Sequence, residues 1–331
     1  MKKNYKALDK GRWNGRIDSH DDFTCFRWHQ KIIKVDLKDK NLDPFQGNLG
    51  FAFLGYPCEK GIIKNKGRTG AALGPDRIRE RLSNLPWHFP QDVFIFDAGD
   101  ISGRDSILEE TQNSLSQAVE RILSLNLFPI LLGGGHDIAY GHYRGVFNHI
   151  KDRGRGEKIG IINFDAHFDL RSYSEGPSSG TMFKQIASHA TNNGTNYSYL
   201  CLGILKQCNT AHLFNTADRL GVEYILAENM KSCDLLPSLQ TIDNFIKRHD
   251  YIYITVCADV FSSAYAPGVS APQPFGLAPE KVLIFLEHIL QSQKVISFDI
   301  AEISPKLDVN GITSNLAANV IFSLVDTIVH L

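Results

Sequence analysis

Asp165, His167 and Asp169 occupy alternate positions in Asp165-Ala166-His167-Phe168-Asp169, directly after an apolar run over 159–164. Residues two apart in an extended backbone project to one face, so the three side chains would enter one pocket. Two further segments carry ligand-type residues in the same way. Gly133-Gly134-Gly135-His136-Asp137 follows an apolar run over 128–132, and Cys257-Ala258-Asp259 follows another over 251–256. Two carboxylates and an imidazole at the end of a buried strand repel one another and are costly to desolvate unless something positive sits among them. A divalent cation supplies that charge. Carboxylate and imidazole ligands suit Mn²⁺, Zn²⁺, Fe²⁺ or Co²⁺. The ligands outnumber what one hydrolytic ion with open positions needs, and two ions roughly 3.5–4 Å apart, bridged by a hydroxide, would use them all. The glycine run lacks the spacing of both common phosphate-binding loops, so it reads as a tight strand-to-helix turn with Asp137 as its cap. A metallohydrolase is the leading reading.

Such ligands need rigid elements behind them. Strands are expected over 49–56, 93–96, 128–132, 158–164, 197–204, 223–226, 251–256 and 295–300, several of them apolar almost throughout, as strands buried on both faces are. Helices are expected between them, notably over 76–85 with Pro75 in its first turn, 106–125, 235–248, 279–291 and 314–329. This alternation predicts an α/β fold: three α/β/α layers around a mainly parallel, eight-stranded sheet. Ligands in such sheets bind beyond the carboxyl ends of the strands, where all three loaded segments fall. Residues 1–48 are polar, aromatic and weakly periodic, and are expected to wrap the domain formed by 49–331. The glycine-rich stretch 151–156 reads as a surface loop.

The chain has 331 residues and a formal net charge of −1, which gives no electrostatic case for nucleic acid or an acidic membrane. No run is expected to reach the roughly 18 apolar residues of a membrane span, and no signal peptide follows the basic start. Six cysteines without a CxxC pair make no disulfide scaffold, so a reducing cytoplasm is the expected setting.

The segments Gly133–His136, Asp165–Asp169 and Thr255–Asp259 continuing to Gly268 resemble the three metal motifs of the ureohydrolase (arginase/agmatinase) superfamily. Asp97-Ala98-Gly99-Asp100 and Asp299–Pro305 extend the likeness over nearly the whole chain. Within it the chain is most similar to the formimidoylglutamase branch, through Trp13–Asp18, Asn65–Ala71, Ser178–Thr181 and Ala266–Pro272. The resemblance implies an arginase-like domain, a homo-oligomer and two divalent ions per chain, Mn²⁺ first with Zn²⁺ or Co²⁺ as alternatives. It places His136, Asp165, Asp169 and Cys257 on one ion, and Asp165, His167, Cys257 and Asp259 on the other. Cys257 departs from the family pattern, which has aspartate there. A thiolate is softer and binds through one atom, so it would shift metal preference, weaken a site or invite oxidation. Cys58, expected at the same sheet end, is a candidate redox partner for it.

The implied reaction is hydrolysis of N-formimidoyl-L-glutamate to L-glutamate and formamide, a step of histidine breakdown, by a metal-bridged hydroxide. Asp169 would relay the proton that C–N cleavage needs, and Glu302 would hold the amidinium end or else make a structural ion pair. A substrate with two carboxylates calls for cations, with Arg68 the first candidate and Arg16 and Arg171 the weaker ones. Asn65, Ser179, Gly180 and Thr181 would add polar contacts. No residue over 178–183 replaces the arginase proton-shuttling histidine, and His189 is expected to be structural. The rivals are another ureohydrolase acting on agmatine, guanidinobutyrate or arginine, and a metal-poor, non-catalytic relative, for which Cys257 is the best support. A deacetylase is weaker because the His-His pair is missing.

Overall fold

The computed structural model describes residues 3–9, 11–104, 106–151, 154 and 156–331. Its strands are β1 (Tyr5–Lys6), β2 (Ile32–Lys34), β3 (Leu49–Tyr56), β4 (Val93–Ile101), β5 (Phe128–Gly133), β6 (Ile159–Phe164), β7 (Tyr199–Ile204), β8 (Glu223–Leu226), β9 (Tyr251–Cys257) and β10 (Val295–Ala301). They form one sheet in the order β1-β4-β3-β5-β10-β9-β6-β7-β8, with β2 also on β4. The sheet therefore has ten strands rather than the expected eight. The eight expected strands are β3 to β10. The other two come from the N-terminal segment, where three-residue or shorter stretches carry too little periodicity to be read. Among these strands, as described, only the β1–β4 pairing is antiparallel.

Strands alternate which face they present. Phe51 and Phe53 join one core with the helices Gly74–Ser83, Leu236–Lys247, Pro279–Leu290 and Ile312–Val329. Ala52 and Leu54 face the other way, toward the helices Leu108–Ser124 and Ile138–Lys151. Both faces are thus buried, which is why the strands read as continuous apolar runs.

Helix Ile138–Lys151 was not singled out from the sequence, because Gly141 and Gly145 lower its helix propensity. Their role is close approach. A Cβ on either would lie 2.7 Å from a carbonyl of helix Leu108–Ser124. Of the loop expected over 151–156, Lys151 closes that helix, and residues 152, 153 and 155 lie outside the described residues. Helix Ile312–Val329 is long and apolar enough, by length and composition only, to cross a bilayer. Its Ala317, Ile321 and Leu324 are instead packed in the core, and Asn315, Asn319 and Asp326 interrupt the apolar sequence.

The N-terminal segment is pinned by packing and charge. Trp28 is wholly buried among Phe53, Trp87, Phe89 and Phe322. Arg79, also wholly buried, donates to Asp97 at 2.7 and 3.0 Å, to Asp100 at 2.8 Å and to the Gly99 carbonyl at 2.9 Å. Arg12 also pairs with Asp100, and Trp13 Nε1 donates to Asp97 at 2.8 Å.

Candidate metal centre

The carboxyl ends of β5, β6, β9 and β10 lie side by side in the sheet, so loops far apart in sequence deliver their first residues to one place. In register, Asn163 on β6 stands beside Thr255 on β9, which stands beside Asp299 on β10. Two residues further along the same face come Asp165 and Cys257.

The glycine run after β5 serves backbone approach rather than phosphate binding. Gly134 and Gly135 donate their N–H groups to the carbonyls of Tyr56 and Cys58. Gly134 also accepts the Glu302 N–H at 2.8 Å. A Cβ on Gly134 would lie 2.1 Å from the Cys58 carbonyl oxygen. Asp137 does not float at the turn: it is wholly buried and accepts from the Tyr56 hydroxyl at 2.8 Å.

These constraints bring six of the residues expected at the centre together. Donor atoms of His136, Asp165 and Cys257 lie within 4.8 Å of one another, and so do those of Asp165, His167 and Asp259. His136 Nδ1 is 3.1 Å from Asp165 Oδ2 and 3.2 Å from Asp169 Oδ2. His167 Nδ1 is 3.2 Å from Asp259 Oδ2. Asp169 and Glu302 reach the cluster from left-handed backbone, at φ 51 and 67, a conformation that L-residues adopt at a cost and that clusters at functional sites. Glu302 Oε1 accepts the backbone N–H of His136 at 2.9 Å.

The electrostatics are those of an acidic centre without a fixed cation. Among the described residues only His136 and His167 pair with Asp165, Asp169 and Asp259; no lysine or arginine does. Burial disfavours charge on His136, but Asp165 and Asp169 outweigh it and hold the imidazole pKa well above its usual value. His167 is raised likewise against burial by Asp259 and Asp165. Burial and the Asp165 charge push Asp169 up to about 6, and burial, with the charges of Asp259 and Asp137, pushes Glu302 up to about 8. Burial and the surrounding carboxylates drive the Cys257 thiol well above its usual value. Asp259 Oδ1 is buried with no hydrogen-bond partner. A divalent ion fits this donor set: it answers the orphaned oxygen and takes the place of the shared protons.

The expected substrate-side residues divide. Asn65 Nδ2 lies 3.4 Å from Ser179 Oγ, and a Cβ on Gly180 would sit 3.0 Å from Arg171 Cδ and 3.1 Å from the Asn65 amide. Asn65, Arg171, Ser179 and Gly180 thus share a corner two residues beyond Asp169. Thr181 turns inward, its hydroxyl accepting from the Ser178 N–H and lying 3.1 Å from Gln185 Oε1. Arg68 differs from expectation. Its Nε and one Nη donate to the carbonyls of Ser270 and Val269 at 2.9 and 2.8 Å, clamping two loops together. Arg16 is engaged with Asp18 at 2.5 Å. The Arg171 guanidinium has no partner among the described residues, so the weaker candidate is the unspent cation. The proposed Cys58–Cys257 pair is not formed: both thiols are free. Cys58 packs against Gly103, and burial pushes its pKa up to about 12.

Sequence reading missed the residues beneath the cluster. Asn163 Nδ2 donates to Asp165 Oδ2 at 3.2 Å, and His136 Nε2 is 3.0 Å from Thr255 Oγ1. Their signal was present as period-two spacing, Asn163 before Asp165 and Thr255 before Cys257.

The Arginase family profile matches residues 49–326. A formimidoylglutamase of Clostridium tetani is 55% identical over 326 residues, covering 98% of this chain and 96% of that protein. One of a Geobacillus species is 46% identical, covering 95% and 94%. Among solved structures, a Bacillus subtilis formimidoylglutamase aligns with TM-score 0.75 at 24% identity, covering 88% of this chain and 93% of that one. A Trypanosoma cruzi formiminoglutamase solved with Mn²⁺ aligns with TM-score 0.73 at 23% identity, covering 87% and 97%. The structural likenesses carry the fold, and with the profile match and the close full-length relatives they establish that this chain belongs to the arginase family.

Proposed function

We propose that this chain hydrolyses N-formimidoyl-L-glutamate to L-glutamate and formamide, cleaving a linear amidine C–N bond. The observation that carries the reading is the 55% identity to a formimidoylglutamase across 98% of the chain, and the buried donor cluster supplies its chemistry. Two divalent ions would be held there, with Mn²⁺ the first choice. His136, Asp165, Asp169 and Cys257 would hold one, and Asp165, His167, Cys257 and Asp259 the other. When bound, such a pair supplies Lewis acidity and lowers the pKa of water.

The chain's own residues do the rest. Glu302, fixed by the His136 N–H, keeps its second oxygen for the amidinium end of the substrate. Asp169 would accept a proton at its carboxylate and pass it to the leaving nitrogen, which C–N cleavage needs. Arg171 meets a substrate carboxylate, with Asn65, Ser179 and the Gly180 backbone beside it, while Arg68 and Thr181 shape the loops that present them. Free thiols throughout suit a reducing, cytoplasmic setting.

Steady-state turnover with N-formimidoyl-L-glutamate, agmatine, guanidinobutyrate and arginine tests the reading. Turnover confined to the first supports it. Inactivity on the first with turnover of another would replace the substrate. Fewer than about one ion per chain in reduced, manganese-supplied protein would favour the non-catalytic alternative.

A further inference from the structure

Beneath the donor cluster lies a polar chain that takes no part in the chemistry described so far. Thr255, Tyr253, His142 and Asp299 are each wholly buried. Thr255 Oγ1 lies 2.6 Å from Asp299 Oδ1 and 3.0 Å from His136 Nε2. Asp299 Oδ2 accepts from His142 Nδ1 at 2.6 Å and from the Tyr253 hydroxyl. The polarity of this chain follows from counting protons. A carboxylate only accepts, and a hydroxyl has one proton to give. Thr255 spends that proton on Asp299, so its oxygen can only accept from His136, whose Nε2 must then carry hydrogen.

We infer that Thr255 and Asp299 are positioning residues that lock His136 in the tautomer whose Nδ1 lone pair faces the metal cluster. The inference rests on the proposed metal centre and names what prepares one of its ligands. Sheet register makes the lock possible: Thr255 and Asp299 are direct neighbours on β9 and β10, one row below Cys257. Tyr253, two residues before Thr255 on the same face, and His142, from helix Ile138–Lys151, hold the far side of the carboxylate. His136 Nδ1 lies 3.1 Å from Asp165 Oδ2 and 3.2 Å from Asp169 Oδ2, on the side where an ion would sit, while Nε2 stays engaged by Thr255. An outer partner of this kind is typically worth about 10–100-fold in metal affinity.

The test compares unaltered protein with Thr255→Val, which keeps the volume and removes the acceptor, and with Thr255→Ser, which restores it. Mn²⁺ affinity is measured by calorimetry. Histidine-labelled, zinc-loaded protein is examined by NMR for the hydrogen-bonded Nε2 proton of His136. Expected for T255V is a loss of about 10–100-fold in affinity and of the slowly exchanging Nε2 proton, with both recovered in T255S. A T255V protein that binds Mn²⁺ within about twofold of the unaltered chain would overturn the inference, whatever its activity. Failure of the unaltered chain to bind any ion would overturn the metal centre itself, and this inference with it.

Discussion

Replacing Cys257 by aspartate probes the one position where this chain departs from the pattern its motifs resemble. The thiol is buried at 2% exposure among Asp165, Asp259 and Glu302. Burial and those charges hold its proton far above neutrality, so an ion binding there must displace it. One displaced proton gives apparent affinity a tenfold rise per pH unit. Between about pH 6.5 and about pH 8.5, that proton alone contributes about 100-fold. An aspartate starts about 4–5 pKa units below a thiol, so in the same surroundings it gives up its proton far more readily across that window. His136 and His167 shed their protons in both proteins, so the difference isolates position 257. C257D is therefore expected to bind Mn²⁺ with a pH slope shallower by one, and to gain most at the low end of the window. It should also lose preference for Zn²⁺, because the soft ligand is gone. Titration with Mn²⁺ and Zn²⁺ at several pH values, in buffers of different ionisation enthalpy, counts the released protons directly. Equal slopes and equal proton release in the two proteins would refute the reasoning and take Cys257 out of the ligand set.

Arg79→Met removes the wholly buried clamp on Asp97 and Asp100 and is expected to cost about 3–5 kcal/mol in urea unfolding, because two buried carboxylates lose their main partner; a loss below about 1 kcal/mol would contradict this. Trp28→Ala opens a void among Phe53, Trp87, Phe89 and Phe322 and should cost about 3–5 kcal/mol by the same assay. The ion-free protein should lose stability as pH rises from about 4 toward about 8. Asp169 and Glu302 have folded pKa values raised to about 6 and about 8 from 3.8 and 4.5, so the folded state binds the extra protons and gives up that advantage as they leave. His136 and His167, also raised, act in the same direction, while Asp165, lowered, titrates below the window. Manganese should reverse the trend, and at a free ion concentration of about 100 times Kd it adds about 2.7 kcal/mol, which chelation removes; parallel pH profiles with and without the ion would refute the linkage.

Much of this protein is local and therefore readable in the chain. Several of the strands from β3 to β10 announce themselves because burial on both faces favours near-continuous apolar runs, and the donors of β5, β6 and β9 follow those runs directly. His136, Asp165, His167, Asp169, Cys257 and Asp259 stand next to strand ends in sequence, so the parallel arrangement alone brings them to one edge of the sheet. The backbone at Asp169 and Glu302, turned to positive φ, gives no such sign, since neither residue type demands it.

What folding alone decided is how distant segments divide their hydrogen bonds. Arg68 and Arg171 look alike in sequence, yet the carbonyls of Val269 and Ser270 occupy the first, while the second has no partner among the described residues. Thr255 and Asp299, 44 residues apart, become a single chain only through the β9–β10 register. Residue type sets what a side chain can donate or accept; which partner arrives first is a property of the packed sheet, and a linear sequence carries no distance.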